Sequence, residues 1–147
     1  MPAWDPNLYL KYANERARPA ADLIAQIHLE NPTRIVDLGC GPGNSTEQLH
    51  DRWPNAEIAG VDNSPEMLAQ AKAKHPDWQW ILGDIVGWKP EPAVDLIFSN
   101  AAFHWVPSHA TLFRSLINGV TPGGVLAAQM PDNFHSPAHR VIQEVAL

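Results

Sequence analysis

Short apolar runs alternate along this chain with longer segments in which apolar residues recur at helical spacing. The apolar runs predict five strands, at 34–38, 57–61, 79–82, 94–98 and 125–129. The segments that follow the first, second and fourth runs predict helices at 45–52, 65–75 and 108–118. This alternation predicts an α/β fold, a doubly wound and mostly parallel sheet with helices on both faces.

The predicted helices carry local signals for their ends and for their buried faces. Ser64 is a predicted N-cap, with Pro65 at the first helical position. A turn is predicted at 121–124, immediately before the last strand. The apolar residues expected to face the sheet are Met67, Leu68 and Ala71 in the second helix and Leu112, Phe113, Leu116 and Ile117 in the third.

Residues 1–30 form a separate helical region in front of the first strand. It is predicted to consist of two helical pieces, because Pro19 interrupts or restarts the pattern. We expect this region to be a lid over a ligand site, with Tyr12 and Arg16 pointing inward. For Arg16 and Arg18 the alternative is a solvated arginine on a helix surface.

Three glycines at alternate positions, Gly39, Gly41 and Gly43, separate the first strand from the helix that follows. Asn44 and Glu47 have the spacing of a capping box, which predicts a helix start at this point. A strand, a glycine turn and a helix bring a ligand close to bare backbone amides. The stretch therefore predicts a ligand site, and a tight turn without a ligand is the alternative.

Composition limits the partners that this ligand site can serve. The 147 residues are enough for one domain with one core, and the net charge of -6 argues against nucleic-acid binding. Cys40 is the only cysteine, so an internal disulfide is excluded. We expect a cytoplasmic protein, because the sequence shows no signal peptide and no apolar run long enough to cross a membrane.

Acidic residues lie beside the glycine turn and at the ends of the next strands. Asp62 ends the second run about 20 positions after the turn, where a carboxylate can accept hydrogen bonds from the hydroxyls of a ribose. The third glycine of the dinucleotide fingerprint is replaced by Asn44, so the match to that fingerprint is incomplete. Asp37 lies two residues before the first glycine of the turn. Residues 39–43, Asp62, Asp84 and residues 100–105 are all expected to lie at the carboxyl edge of the predicted sheet.

The pattern Asp37-x-Gly39-x-Gly41-x-Gly43 resembles the first motif of Rossmann-like S-adenosylmethionine-dependent methyltransferases. A closer resemblance, to the trans-aconitate 2-methyltransferase family, is carried by WDPNLYLKYANERARP (4–19), VDLGCGPGNST (36–46), DLIFSNAAFHW (95–105) and QMPDN (129–133). It implies methyl transfer from S-adenosylmethionine to a carboxylate of trans-aconitate or a similar small polycarboxylate. The products would be a methyl ester and S-adenosylhomocysteine, and no metal is expected.

The resemblance also implies roles for single residues. Asp37 would orient the cofactor's amino group, and Asp84 would accept a hydrogen bond from the adenine amino group; a plain turn residue is the alternative for Asp84. The implied cofactor-binding residues are Tyr12, Arg16, Asp37, Gly39, Gly41, Asp62, Asn63, Met67, Asp84, Ile85 and Asn100. The implied substrate-binding residues are Arg18, His104 and Trp105. His104, the catalytic candidate, would orient the acceptor and Trp105 would wall its pocket, unless both are packing residues.

The family's chains continue beyond the point where this sequence stops, so we expect 1–147 to be one methyltransferase domain without its C-terminal strands and acceptor cover. The 1–30 region would be its lid and 34–147 its Rossmann-like core. The strand at 125–129 would then be an open edge that favours self-association. The alternatives are a C- or N-methyltransferase of another small metabolite, a catalytically incomplete cofactor-binding module and, more distantly, a nicotinamide-dependent oxidoreductase.

Overall fold

The computed structural model describes residues 13–131. Its helices are α1 (Ala13–Ala25), α2 (Asn44–Arg52), α3 (Pro65–Lys74) and α4 (His109–Ile117), with a 3₁₀ turn at Phe103–Trp105. Its strands are β1 (Arg34–Leu38), β2 (Glu57–Asp62), β3 (Gln79–Leu82), β4 (Val94–Asn100) and β5 (Val120–Gln129). They form one sheet in the order β3-β2-β1-β4-β5, and every neighbouring pair is parallel. The predicted α/β class and parallel sheet are confirmed.

Alternate residues of the central strands point to two separate cores, one on each face of the sheet. Ile35, Leu96 and Phe98 join a cluster that α1 and α2 cover. Val36 and Ile97 join the cluster on the other face, which contains residues of α4 and the 3₁₀ turn. Each fully buried side chain of this size contributes about 1.5–3 kcal/mol to folding. Helices therefore lie on both faces, as the alternation predicted.

The N-terminal helix differs from its prediction. The helix α1 runs without a break through Pro19 and ends at Ala25, so the expected break at this proline is wrong for the described residues. A proline removes one helical hydrogen bond. Burial of Ala20 and Ile24, which are 1% and 5% exposed, offsets that loss because both pack in the core on this face. The first helical piece predicted before residue 13 lies outside the described residues.

Two helix faces and one strand start also differ from the predictions. Met67 is 40% exposed and Ile117 is 49% exposed, although both were expected to face the sheet. In α3 the residue that is buried is Ala71, and Met67 lies near the helix start, beside a cavity. The strand β5 begins at Val120, which pairs with Val94, and the predicted turn forms an irregularity within the strand.

Asp95 connects three strands at the amino edge of the sheet, opposite the glycine turn. Its Oδ2 accepts hydrogen bonds from the backbone N of Thr33 at 2.7 Å and of Arg34 at 3.2 Å. Its Oδ1 accepts a hydrogen bond from Thr121 Oγ1 at 2.7 Å. The hydrogen bonds from Thr121 and Thr33 are the main reasons why the pKa of Asp95 is held below its usual range.

Within residues 13–131, no helix has both the length and the apolar character needed to span a membrane. The edges of the sheet are β3, with only four residues, and β5. The expected self-association through β5 stays a prediction.

Candidate functional site

The glycine turn leaves β1 and enters α2 with three residues in the left-handed conformation. The φ angles of Gly39, Gly41 and Gly43 are 79°, 55° and 96°, values that only glycine adopts without strain. A Cβ on Gly39 would lie 2.4 Å from the Cβ of Ala102, so the chain after β4 packs directly on the turn. A Cβ on Gly41 would meet nothing within 4 Å, which leaves open space above the backbone at that residue.

The helix α2 does not begin with the predicted capping box. Its N-cap is Gly43, which offers no side chain, and Asn44 is the first helical residue. Glu47 Oε1 instead lies 2.9 Å from Nε2 of His75, at the end of α3. The side chain of Ser64, in contrast, caps α3 by accepting a hydrogen bond from the backbone N of Met67 at 3.3 Å, as predicted.

Asp37 lies fully buried under the glycine turn. Its Oδ2 accepts hydrogen bonds from Ser45 Oγ and Thr46 Oγ1, both at 2.7 Å, so these hydroxyls bind the carboxylate rather than capping α2. Its Oδ1 has no hydrogen-bond partner among the described residues. Burial raises the pKa of Asp37 to about 6; the two hydroxyls oppose that rise and the charge of Asp62 adds to it. An unpaired, buried carboxylate oxygen suits a cationic donor.

Asp62 connects the glycine turn to the start of α3. Its Oδ2 accepts a hydrogen bond from the backbone N of Gly41, and its Oδ1 accepts one from the backbone N of Ser64, each at 2.9 Å. The carboxylate therefore positions both elements with one lone pair on each oxygen, and a second lone pair on each oxygen can accept a further hydrogen bond.

Two tryptophans after α3 hold the turn and α2 in place. The Trp80 ring fills the space beside Gly60 and Gly43, where added Cβ atoms would lie 2.5 Å and 2.9 Å from it. Trp80 Nε1 donates a hydrogen bond to the His75 carbonyl at 2.9 Å. The Trp78 ring is stacked between the imidazoles of His50 and His75, with ring centroids 3.7 Å apart on each side.

The largest of three cavities that share Ala101, with a volume of about 580 Å³, opens at the carboxyl edge of β1, β2 and β3. It is lined by Gly39, Gly41, Pro42, Asp62, Asn63, Ser64, Met67, Asp84, Ile85, Val86, Ala101, Ala102 and Val106. The structure thus brings together most of the predicted cofactor-binding residues, from the loops after β1, β2 and β3. Met67 and Val86 contribute exposed apolar surface, since their exposed fractions are 40% and 59%.

Two further cavities share Ala101 with the first, and one of them also adjoins the glycine turn. The second, of about 300 Å³, is lined by Ala17, Ala20, Gly39, Cys40, Gly41, Pro42, Asn44, Ser45, Gln48, Asn100 and Ala101. The third, of about 440 Å³, is lined by Pro19, Asn100, Ala101, Gln129, Met130 and Pro131. The amides of the third cavity are connected, because Gln129 Nε2 donates a hydrogen bond to Asn100 Oδ1 at 2.8 Å. The helix α1 contributes walls to both cavities, and its role as a lid stays a prediction.

The remaining predicted site residues lie apart from these cavities or outside the described side chains. Arg18 is exposed, and its Nε lies 3.8 Å from Asp22 Oδ2, so the structure does not bring it to the site. His104 is half-buried on the 3₁₀ turn and lines none of the three cavities. Trp105 belongs to the same turn, Arg16 belongs to α1, and Tyr12 lies outside the described residues.

The structure adds site residues that had no individual role in the predictions. Ala101 and Ala102 follow β4 and line the largest cavity, and Ala101 has a positive φ of 55°. No motif marks an alanine for such a position. Ser45 and Thr46 lie eight and nine positions after Asp37, and the tight turn between them brings both hydroxyls back to its carboxylate. This spacing of hydroxyl residues after a strand aspartate is a weak signal in the sequence. Among residues 13–131, no group of three or more His, Cys, Asp or Glu side chains could hold a metal ion.

Comparison with known proteins places the same segment in one family. The methyltransferase domain family matches residues 35–124. Curated proteins named trans-aconitate 2-methyltransferase are similar to this chain: that of Escherichia coli O157:H7 is 53% identical and that of Shigella flexneri 52%, each over 99% of this chain. The chain spans 58% of the length of either relative.

Solved structures show the same likeness in three dimensions. A S-adenosylmethionine dependent methyltransferase from Mesorhizobium loti is 33% identical, with a TM-score of 0.67 over 78% of this chain and 55% of that protein. DesVI of Streptomyces venezuelae shares the fold, with a TM-score of 0.72 and 20% identity over 84% of this chain and 54% of that protein.

Proposed function

The chain belongs to the methyltransferase domain family, and on that basis we propose that it binds S-adenosylmethionine around the glycine turn. We further propose that the protein transfers the methyl group to a carboxylate of trans-aconitate or a similar small polycarboxylate. The products are a methyl ester and S-adenosylhomocysteine. The names of the relatives from Escherichia coli O157:H7 and Shigella flexneri support this acceptor.

The observation that carries the cofactor proposal is the division of space on the two sides of the glycine turn. One side has the cavity of about 580 Å³ with Asp62 and Asp84. The other has the cavity of about 300 Å³ with Ser45, which is hydrogen-bonded to the buried carboxylate of Asp37. A ligand with a nucleoside at one end and an ammonium group at the other matches both sides.

The residues present fit this ligand. The open space above Gly41 lets the ligand approach the backbone, and a side chain there would fill it. Asp62 has lone pairs left for ribose hydroxyls, because each of its oxygens accepts one backbone hydrogen bond. Asp84 and Ile85 would hold the adenine ring, and Asn63 and Met67 line the same space. The unpaired Oδ1 of Asp37 supplies charge for the ammonium group, directly or through water.

When bound, S-adenosylmethionine supplies a methyl group on a sulfonium, which is an excellent leaving group. A carboxylate acceptor is ionised at neutral pH, so the protein needs no general base for this transfer. What its residues contribute is alignment, which can supply about 7–11 kcal/mol. The third cavity suits the acceptor, because the side-chain amides of Asn100 and Gln129 can donate hydrogen bonds to carboxylate oxygens.

The charges of a tricarboxylate need cations, and no lysine or arginine lines the three cavities in the described part of the chain. Arg18 can reach an acceptor only by leaving Asp22. An exposed ion pair of this kind contributes only about 0–1 kcal/mol, so the change costs little. The proposed role of His104 in orienting the acceptor, and of Trp105 in walling its pocket, rests on their place directly after β4.

The mainly apolar lining of the third cavity favours one alternative, a C- or N-methyltransferase of a different small metabolite. Pro19, Ala101, Met130 and Pro131 make up most of that lining. The product distinguishes the two functions. The intact protein is incubated with trans-aconitate and methyl-labelled S-adenosylmethionine, and the labelled product is treated with mild alkali. We expect a labelled ester that releases methanol; a label that resists alkali, or no transfer to any carboxylate, would contradict the proposed function.

A further inference from the structure

Ala101 lies where the three cavities meet. It is the one residue of the described chain that lines the cavities of about 580, 300 and 440 Å³ together. Its side chain is exposed, whereas Ala102 beside it is 8% exposed and packed in the core. The methyl group of Ala101 therefore borders open space, at the boundary between the two sides of the glycine turn and the third cavity.

The backbone of Ala101 is strained. Its φ of 55° is the only positive value of a non-glycine residue among residues 13–131. An L-residue in this region carries a conformational cost, and strain of this kind concentrates at functional sites. Glycine would adopt the same conformation without that cost, so an alanine at this position indicates a function for its methyl group.

Contacts on both sides hold the residue in this position. The backbone N of Ala101 donates a hydrogen bond to the Gln129 carbonyl at 2.9 Å, and Gln129 Nε2 also binds the side chain of Asn100. Ala102 occupies the space that Gly39 leaves, with its Cβ 2.4 Å from the position of an added Cβ. Contacts to β5 and to the glycine turn therefore hold Asn100, Ala101 and Ala102 in place and oppose displacement of Ala101 by a larger ligand.

We propose that Ala101 is a specificity-determining residue for the methyl transfer, whose side chain sets the width of the passage between the cofactor and the acceptor. This inference rests on the proposed function, since it assigns the cofactor to the first two cavities and the acceptor to the third. Under it, the methyl group that is transferred crosses from one to the other beside Ala101. The small side chain admits that methyl group and limits the size of the acceptor that can bind in the third cavity.

Two substitutions keep the backbone conformation and change only the width. Ala101→Gly removes the methyl group, and Ala101→Asn adds bulk; both residues tolerate positive φ. Ala110→Asn, on the exposed start of α4, is the matched control. Calorimetric titration of the intact protein compares S-adenosylhomocysteine with S-adenosylethionine, whose sulfonium carries an ethyl group and therefore probes the passage without any acceptor.

We expect Ala110→Asn to bind S-adenosylhomocysteine within threefold of the wild type, whereas Ala101→Asn loses some affinity for it because residue 101 lines both cavities assigned to the cofactor. In Ala101→Asn, the loss of affinity for S-adenosylethionine is expected to be at least tenfold greater than the loss of affinity for S-adenosylhomocysteine. Ala101→Gly is expected to bind S-adenosylethionine at least as tightly as the wild type does. With transfer assays, Ala101→Asn should lower kcat/KM for trans-aconitate at least tenfold and that for the smaller fumarate by less.

Two results would overturn the inference while leaving the proposed function intact. One is an unchanged ratio of the two affinities in both variants; the other is an equal loss of both affinities in Ala101→Asn, which would make the residue an ordinary cofactor contact. If the wild-type protein does not bind S-adenosylhomocysteine, the proposed function itself is wrong and the inference is wrong with it. A thermal melt of each variant separates these outcomes from misfolding.

Discussion

Asp62 accepts a hydrogen bond from the backbone N of Gly41 at 2.9 Å, across 21 positions of sequence. The carboxylate therefore has two tasks at one place: it fixes the glycine turn, and it lines the largest cavity. Ser64, whose backbone N binds the other carboxylate oxygen, extends the same arrangement to the start of α3. Loss of this side chain should affect both folding and ligand binding.

We predict that Asp62→Ala weakens the binding of S-adenosylhomocysteine by more than about 1 kcal/mol, because a charge-assisted ribose contact is lost. It should also lower the free energy of unfolding by about 1–3 kcal/mol, because two backbone N–H groups lose their acceptor. Calorimetric titration and urea denaturation measure the two effects. Asp77→Ala, which removes the same charge from an exposed turn, is the control. Wild-type affinity in Asp62→Ala would rule out the ribose contact.

Substitution of a glycine in the turn can block the ligand without a clash inside the protein. Gly41→Ala adds a Cβ that meets no protein atom within 4 Å, so the fold should lose only the roughly 1–2 kcal/mol of a strained φ. The new methyl group enters the space proposed for the ligand, and we expect S-adenosylhomocysteine binding to weaken at least tenfold. Gly123→Ala is the matched control, since Gly123 also has a positive φ and open space but lies in β5. Equal effects of both variants on affinity would contradict the assignment.

Much of this site could be predicted from sequence, because its signals are local. The strand boundaries at Arg34–Leu38 and Gln79–Leu82, the Ser64 cap and the position of Asp62 at the end of β2 all follow from apolar runs and the residues that end them. Parallel strands then bring their carboxyl ends to one edge without any further information.

The features that escaped prediction depend on contacts between distant segments. Asn44 has the sequence of a cap, but Ser45 and Thr46 are drawn to Asp37 and Gly43 becomes the N-cap. The helix α1 continues through Pro19 because its neighbours are buried against the sheet. The left-handed conformation of Ala101 results from β5 and the glycine turn, which a local reading of residues 95–105 does not contain.

The buried carboxyl of Asp37 predicts a pH dependence of folding. Its pKa of about 6 in the folded protein lies above the ordinary value near 4, so the folded state binds the proton more tightly. The stabilisation is therefore fully present below pH 4 and is lost as the pH rises through 6, by up to about 3 kcal/mol. Asp37→Asn should remove this dependence. Urea denaturation between pH 4 and pH 7 compares the two proteins; parallel profiles would show that Asp37 does not titrate in this range.

The same carboxyl predicts proton release on ligand binding. The ammonium group of S-adenosylhomocysteine favours the ionised form, so binding should lower the pKa of Asp37 and the affinity should fall as the pH drops from 7 to 5. Calorimetry near pH 6 in buffers of different ionisation enthalpy measures the protons released. We expect a net release in the wild type and none in Asp37→Asn. Identical proton counts in both proteins would place the ammonium group elsewhere.

Asp95 offers a contrast, because it stabilises the fold at the edge of the sheet away from the ligand site. Asp95→Ala removes the acceptor of three hydrogen bonds, and we expect a loss of about 2–3 kcal/mol in the free energy of unfolding. Since its pKa is lowered, the part of this contribution that depends on the ionised carboxylate is present above the ordinary carboxyl range near 4 and is lost as the pH falls through the lowered pKa. Affinity for S-adenosylhomocysteine at a temperature where the variant is folded should not change; a tenfold loss would show that the two edges are coupled.

The central claim is that the glycine turn between Asp37 and Asp62 forms a site for S-adenosylmethionine. Calorimetric titration of the intact protein with S-adenosylhomocysteine tests it most directly, with circular dichroism on the same sample to show that the protein is folded. Saturable one-to-one binding that Gly41→Ala weakens and Gly123→Ala does not is the result we predict. A folded protein that binds no S-adenosylhomocysteine would contradict the claim.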